Sequence, residues 1–171
     1  RLAEVRPDLG LPFAGIPEVT LLIEVATTVP EEAAPGPGGE VPLTATLERV
    51  LGGMLEEGLI QDAVVAQSEA QRLRMWARRE AAAEINIGLD PAVDTDVCLP
   101  LDRIAAFLDR VAVRLARLDP GHTTQNVGHL GDGNLHFTIL PSRADPALEE
   151  AVMEAVEDVV QELGGSFSAE H

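Results

Sequence analysis

The chain has 171 residues, 46% of them hydrophobic and 24% charged, which is the length and apolar content of a compact domain with its own core and excludes wholesale disorder. Its 29 acidic residues face 12 basic ones, all arginine, for a net charge of −17. Such a surface repels phosphate backbones and anionic lipid, so nucleic-acid and membrane-surface roles are disfavoured, and any anionic ligand needs a local concentration of arginine, metal or backbone N–H groups. The single cysteine, Cys98, has no internal disulfide partner, and no apolar run reaches the length of a membrane span. A cytoplasmic or organellar-matrix setting is expected. The chain starts at Arg1 and stops at His171 with no initiating methionine, so both natural ends are expected to lie outside it.

Residues 17–27 (EVTLLIEVATT) are β-rich and apolar and predict a buried strand, followed by a Pro/Gly-rich loop over 29–41. Leu43, Leu47, Val50, Leu51 and Met54 recur at helical spacing with Gly58 as terminator, predicting a helix over 43–57. AVVAQ at 63–67 reads as a returning parallel strand, which would make a βαβ unit. A further helix over 68–84 carries Trp76 and the arginines 72, 74, 78 and 79. The second half reads strand 94–99, helix 101–118, strand 122–130, strand 134–140, helix 146–163 and strand 165–170. That is the βαββαβ order of a ferredoxin-like unit. Its helices show apolar stripes at Ile104, Phe107, Val111, Leu115 and Leu118 and at Leu148, Val152, Val156, Val159 and Leu163. The expected class is therefore α+β: a ferredoxin-like βαββαβ unit preceded by a βαβ unit, with helices mainly on one face of the sheet.

The densest chemical feature is GHLGDGNLH, residues 128–136. Asp132-Gly133 is a strong two-residue hairpin signal, which would set His129 directly opposite His136 and turn Leu130 and Leu135 together into the core. Opposed residues have Cβ atoms about 4.5–5.5 Å apart, close enough for both imidazoles to reach one metal ion. A carboxylate is wanted as third ligand, and the terminal GGSFSAEH offers Glu170 beside His171. Spacing alone leaves a metal site and a glycine-rich hairpin with two hydrogen-bonded histidines equally open. On the same footing Arg79 is a solvated helix charge, Cys98 a strand residue, Trp76 a packing residue and His122 a loop residue.

GHLGDGNLH and GGSFSAEH in this order, with MWARRE upstream, resemble the C-terminal domain of the FAD-linked oxidases, the vanillyl-alcohol oxidase superfamily, in its D-lactate, glycolate and D-2-hydroxyglutarate dehydrogenase branch. The similarity runs from VTLLIEV through AVVAQSEAQ to the last residue. It implies that residues 1–171 are a substrate- and metal-binding, cap-type domain. His129, His136 and Glu170 would be metal ligands, His171 the catalytic base, and Asn134 and Arg79 contacts to substrate and its carboxylate. The implied metal is divalent, zinc first, with manganese or iron as alternatives. FAD would be held mainly by a separate N-terminal domain of the same parent chain, so this chain alone would be inactive, and a homodimer is compatible. The implied reaction takes a D-2-hydroxy acid to a 2-oxo acid, with proton abstraction assisted by the metal and hydride transfer to FAD.

Two positions depart from the relatives that oxidise D-2-hydroxyglutarate: Asp94 stands where they carry a lysine and Ala83 where they carry a threonine. Both changes weaken binding of a second carboxylate and leave the substrate open. The alternatives are a non-catalytic ferredoxin-like metal-binding or regulatory module, which needs neither arginine nor base at the metal, and a metal-dependent hydrolase, which needs no flavin.

Overall fold

The computed structural model describes residues 2–86 and 88–167, apart from the side chain of Ala83. The chain forms two units, Arg1–Ala82 and Ala83–His171.

The first unit is helical. It contains the short helices α1 (Leu2–Val5) and α2 (Pro30–Ala33) and the longer α3 (Pro42–Glu56) and α4 (Glu69–Glu80). Pro42 begins α3 at a position where a missing N–H is harmless. The Ser68 side chain caps α4 by accepting from the Gln71 N–H. Helix formation over 43–57 and in the first two-thirds of 68–84 agrees with the periodicity, after which α4 gives way to a 3₁₀ segment, Ala81–Asn86.

The expected βαβ unit is not formed: among the described residues of this unit, neither 17–27 nor 63–67 is a strand. Ile16, Val19, Leu21 and Ile23 are all at least half exposed. A strand is completed only by its neighbour's ladder, and a parallel pair needs further strands and helical cover on both faces. Two candidate strands with a helix that buries none of its residues do not supply that cover.

The second unit has the expected strand and helix order. β1 (Val93–Cys98) is followed by a 3₁₀ turn at Leu101–Arg103 and α5 (Ile104–Leu118), then β2 (Thr123–His129), β3 (Asn134–Leu140), α6 (Pro146–Glu162) and β4 (Ser166–Phe167). Asp145 caps α6 through the Ala147 N–H at 3.1 Å, and Gly164 ends its last turn at φ 73°. The sheet order is β2-β3-β1-β4 with every pair antiparallel. This is the ferredoxin-like arrangement, and the chain is α+β.

Alternation within VDTDVC decides how the sheet is used. Val93, Thr95 and Val97 are buried and lie opposite Ile139, Phe137 and Leu135 of β3, forming the face that meets the helices. α5 contributes Phe107, Val111 and Leu115, and α6 contributes Val152, Val156 and Val159, to the same cluster. The rings of Phe107 and Phe137 meet edge to face at 5.3 Å, an arrangement worth about 0.5–1.5 kcal/mol beyond area burial. Leu118, expected in the α5 stripe, is 41% exposed at the last turn.

The turn after α5 is tied to the loop before α6 by one buried carboxylate. Asp119 accepts from the Ser142 hydroxyl at 2.6 Å, the Ser142 N–H at 2.7 Å and the Gly121 N–H at 3.2 Å. His122 lies in this turn, with Nδ1 2.7 Å from the Asp119 carbonyl oxygen, a loop role as expected. The Ser142 hydroxyl first, then the N–H groups of Ser142 and Gly121, hold the Asp119 carboxyl below the usual carboxylate range. A depressed folded pKa contributes stability that is fully present above the unfolded value, about 3.9, and is lost as pH falls through the lowered folded value. Urea midpoints measured from pH 6 to pH 2 should therefore fall at the acid end, and Asp119→Asn should flatten that fall while lowering stability near neutrality. An acid limb that is unchanged in the variant would show that other carboxylates control it.

Candidate functional site

The sheet face that α5 and α6 leave is polar, and it carries the histidines. Pairing with period two sets three cross-strand rows on it: Asp94, Thr138 and Gln125; Asp96, His136 and Val127; Cys98, Asn134 and His129. His129 and His136 share this face with ring centroids 5.2 Å apart and planes at 75°. Asn134 lies beside them and is only 5% exposed.

The histidines meet diagonally rather than directly. His129 pairs with Asn134, and His136 with Val127, so the register is two residues away from the one that an Asp132-Gly133 turn predicts. The connection is the loop Leu130–Gly133. An even shift keeps every side chain on its own face, which is why the two imidazoles still converge although the turn differs. Leu130 does change its fate: it stands in the loop, 43% exposed, while Leu135 alone enters the core.

The reason for the longer loop lies outside the hairpin. The Gly133 carbonyl accepts from the Leu99 N–H at 2.9 Å, the Cys98 thiol approaches the Asp132 carbonyl oxygen at 3.4 Å, and the Asn134 N–H reaches the Asp132 side chain at 3.3 Å. The end of β1 thus grips the loop, at the point where Gly133 has φ 77° and a Cβ would stand 2.0 Å from the Leu99 carbonyl oxygen.

Of the residues singled out from the sequence, His129, His136 and Asn134 are brought together. Arg79 belongs to the other unit, in the last turn of α4. Arg72 in that helix is bound to Glu69 and Glu24, and Arg78 to the Gly10 carbonyl. Trp76 packs half-buried, with its N–H on Glu24 at 3.1 Å. Arg79 is half-buried and has no hydrogen-bond or ion-pair partner among the described residues. Glu170 and His171 lie outside the described residues. Among the described residues no group of three or more His, Cys, Asp and Glu side chains is arranged to hold a metal. The face nevertheless carries acceptors in search of a donor or cation: Asp96 Oδ1, Asn134 Oδ1 and Gln125 Oε1 are buried without a hydrogen-bond partner.

Residues 38–171 match the family described as FAD linked oxidases, C-terminal domain. The chain belongs to this family. Among its relatives is a D-2-hydroxyglutarate dehydrogenase of Stutzerimonas stutzeri (strain A1501), 30% identical over an alignment of 171 positions that covers 97% of this chain and 34% of that protein. A mitochondrial D-2-hydroxyglutarate dehydrogenase of Bos taurus is 35% identical over 144 residues, 82% of this chain and 25% of that protein. A D-2-hydroxyglutarate dehydrogenase of Xanthomonas citri pv. viticola is 34% identical over 122 residues, 68% of this chain and 26% of that protein. The chain spans between about a fifth and a third of the length of the curated relatives it matches. Among the described residues no helix is long and apolar enough to cross a membrane.

Within this FAD-linked oxidase C-terminal domain, sequence reasoning passed over Asp96. Its carboxylate oxygen stands 3.3 Å from His136 Nδ1, and its side chain is 14% exposed. The signal was present in VDTDVC, where the spacing of Asp94 and Asp96 sends two acids to one face of a strand; only the pairing with β3 shows which histidine one of them meets. Asp94, by contrast, accepts the Thr138 hydroxyl at 2.6 Å, and Thr138 in turn accepts from the Asn86 amide at 2.7 Å.

The grip on Gly133 generates a direct expectation. Gly133→Ala combines a left-handed backbone, which opposes a Cβ by roughly 1–2 kcal/mol, with a backbone clash. Chemical denaturation should show a loss of more than about 2 kcal/mol, or NMR shifts confined to residues 98–100 and 128–136 should report a rebuilt loop. A variant within about 0.5 kcal/mol of the parent with an unchanged spectrum would sink the proposed contact.

Proposed function

We propose that residues 1–171 are the substrate- and metal-binding domain of a flavin-dependent dehydrogenase that oxidises a D-2-hydroxy acid to the corresponding 2-oxo acid. The observation that carries this reading is the pair of imidazoles 5.2 Å apart on one sheet face, in a chain belonging to the FAD-linked oxidase C-terminal family. His129, His136 and Glu170 would hold a divalent metal, with zinc the first choice for two imidazoles and a carboxylate and manganese or iron as alternatives. The buried Asn134 Oδ1 and Gln125 Oε1 on the histidine-bearing face, without donors among the described residues, suit a site completed by a cation and a hydroxyl-bearing ligand. No residue of this chain is assigned to the flavin, which another part of the protein would bind.

When bound, the metal supplies Lewis-acid polarisation of the substrate hydroxyl and FAD supplies the hydride acceptor. The protein's own residues do the rest. His171 takes the hydroxyl proton as general base. Asn134 orients the substrate through an amide already held 5% exposed by packing. Arg79 binds the substrate carboxylate through its guanidinium fork, the geometry that matches a carboxylate with two parallel N–H donors. Against a net charge of −17, metal and arginine together provide the positive potential that an anionic substrate requires. A cytoplasmic or organellar-matrix location is consistent with this chemistry.

The test uses the full-length, metal-replete protein and a panel of D-2-hydroxy acids, with bleaching of the flavin absorbance as readout. Bleaching by at least one member is expected, and bleaching by none overturns the dehydrogenase reading. His129→Ala and His136→Ala should lose metal and turnover together. His171→Ala should keep the metal and lose at least about 100-fold in kcat, the usual contribution of a general base. Near-normal turnover in that variant would remove His171 from the mechanism.

A further inference from the structure

Building on the metal site just proposed, we infer that Asp96 is the positioning residue for His136. It holds the imidazole with its proton on Nδ1, which would leave Nε2 as the nitrogen available to a metal. A charged carboxylate in the middle of a central strand is unfavourable unless something satisfies it. Two acids sit on this face of β1, and they differ in that respect. Asp94 is exposed and already holds the Thr138 hydroxyl at 2.6 Å. Asp96 is 14% exposed, its Oδ1 has no aligned hydrogen-bond donor among the described residues, and the cationic or N–H group facing it is His136 Nδ1 at 3.3 Å.

The register leaves Asp96 little choice. Asp96 and His136 are directly opposed across the β1–β3 ladder, and β1 is flanked by β3 and β4, so neither residue can leave without breaking the central pair. A carboxylate facing Nδ1 makes that nitrogen the donor, the arrangement by which carboxylates orient metal-binding histidines. Among the described residues His129 has no equivalent: the carboxylate paired with it is Asp132 at 3.7 Å, beyond hydrogen-bond distance and 66% exposed. The two histidines are therefore unequal: His136 is oriented by the fold, whereas His129 depends on the loop.

Zinc alone is the probe, in competition with a chromophoric chelator, applied to the metal-stripped full-length protein. Asp96→Ala should weaken zinc binding by about 10–100-fold. Asp96→Asn, which keeps an acceptor oxygen in the same place without the charge, should fall between it and the parent. Asp132→Ala should change affinity by less than about 3-fold, the effect of an exposed, screened partner. A second readout does not depend on a variant: selective ¹⁵N labelling of histidine in the metal-free protein, at a pH where imidazole is neutral, should report His136 as the Nδ1–H tautomer. A purely structural Asp96 would leave that tautomer unbiased. Zinc affinity unchanged in Asp96→Ala, or His136 found as the Nε2–H tautomer, overturns this inference while leaving the metal site standing; absence of zinc binding in the parent overturns the metal site and this inference with it.

Discussion

The antiparallel ladder between β1 and β3 is the contact on which the second unit depends. Because side chains alternate with period two, the same six residue pairs serve both faces. Val97 against Leu135 and Thr95 against Phe137 give the helices a surface to cover, while Asp96 against His136 and Cys98 against Asn134 assemble the polar face. A slip by one residue would turn the imidazole into the core and Phe137 out of it, at a cost of several kcal/mol from lost burial and an unsatisfied ring. Core packing thus enforces the register that sets His129 and His136 on one face. Helices α5 and α6 act on the site only through this coupling.

The hairpin is a second consequence of the same strand. β1 ends where its next residue, Leu99, holds the Gly133 carbonyl, so the loop is shaped by contact with a third segment rather than by the twist of its own two strands. Local turn chemistry favours Asp-Gly as a two-residue turn; the longer loop wins because it brings Gly133 against Leu99 and leaves Asn134 inside the ladder. Asn134 is thereby buried next to His129 instead of standing at the tip. The polar face gains an amide, and the imidazoles keep their common side.

Electrostatics set a different constraint. A chain with 29 acids and 12 arginines repels anions at long range, so any affinity for one has to be local and short-ranged. Among the described residues six arginines are ion-paired with nearby acids, Arg72 with Glu69 and Glu24 and Arg114 with Asp158 and Glu162 among them. Arg79, like Arg49, Arg74 and Arg117, has no such pairing among the described residues. Asp94 adds negative charge to the histidine-bearing face.

Local pattern was sufficient for a definite share of this protein. Apolar stripes and caps placed α3, α5 and α6 to within three residues, because helix periodicity, an Asp-Pro start and a Gly stop are all contained in the segment that folds. The histidine pair and the family were legible too: the motifs are contiguous, and an even change of register cannot separate two residues that share a face. Tertiary structure decided the rest. Whether 17–27 and 63–67 become strands depends on neighbours that no local pattern supplies, and the hairpin loop depends on Leu99, more than thirty residues away in sequence. The tie between Asp96 and His136 is a matter of which strand lies beside which. Acids at alternate positions of β1 announce a polar face, but only the β2-β3-β1-β4 order makes one of them the neighbour of a histidine.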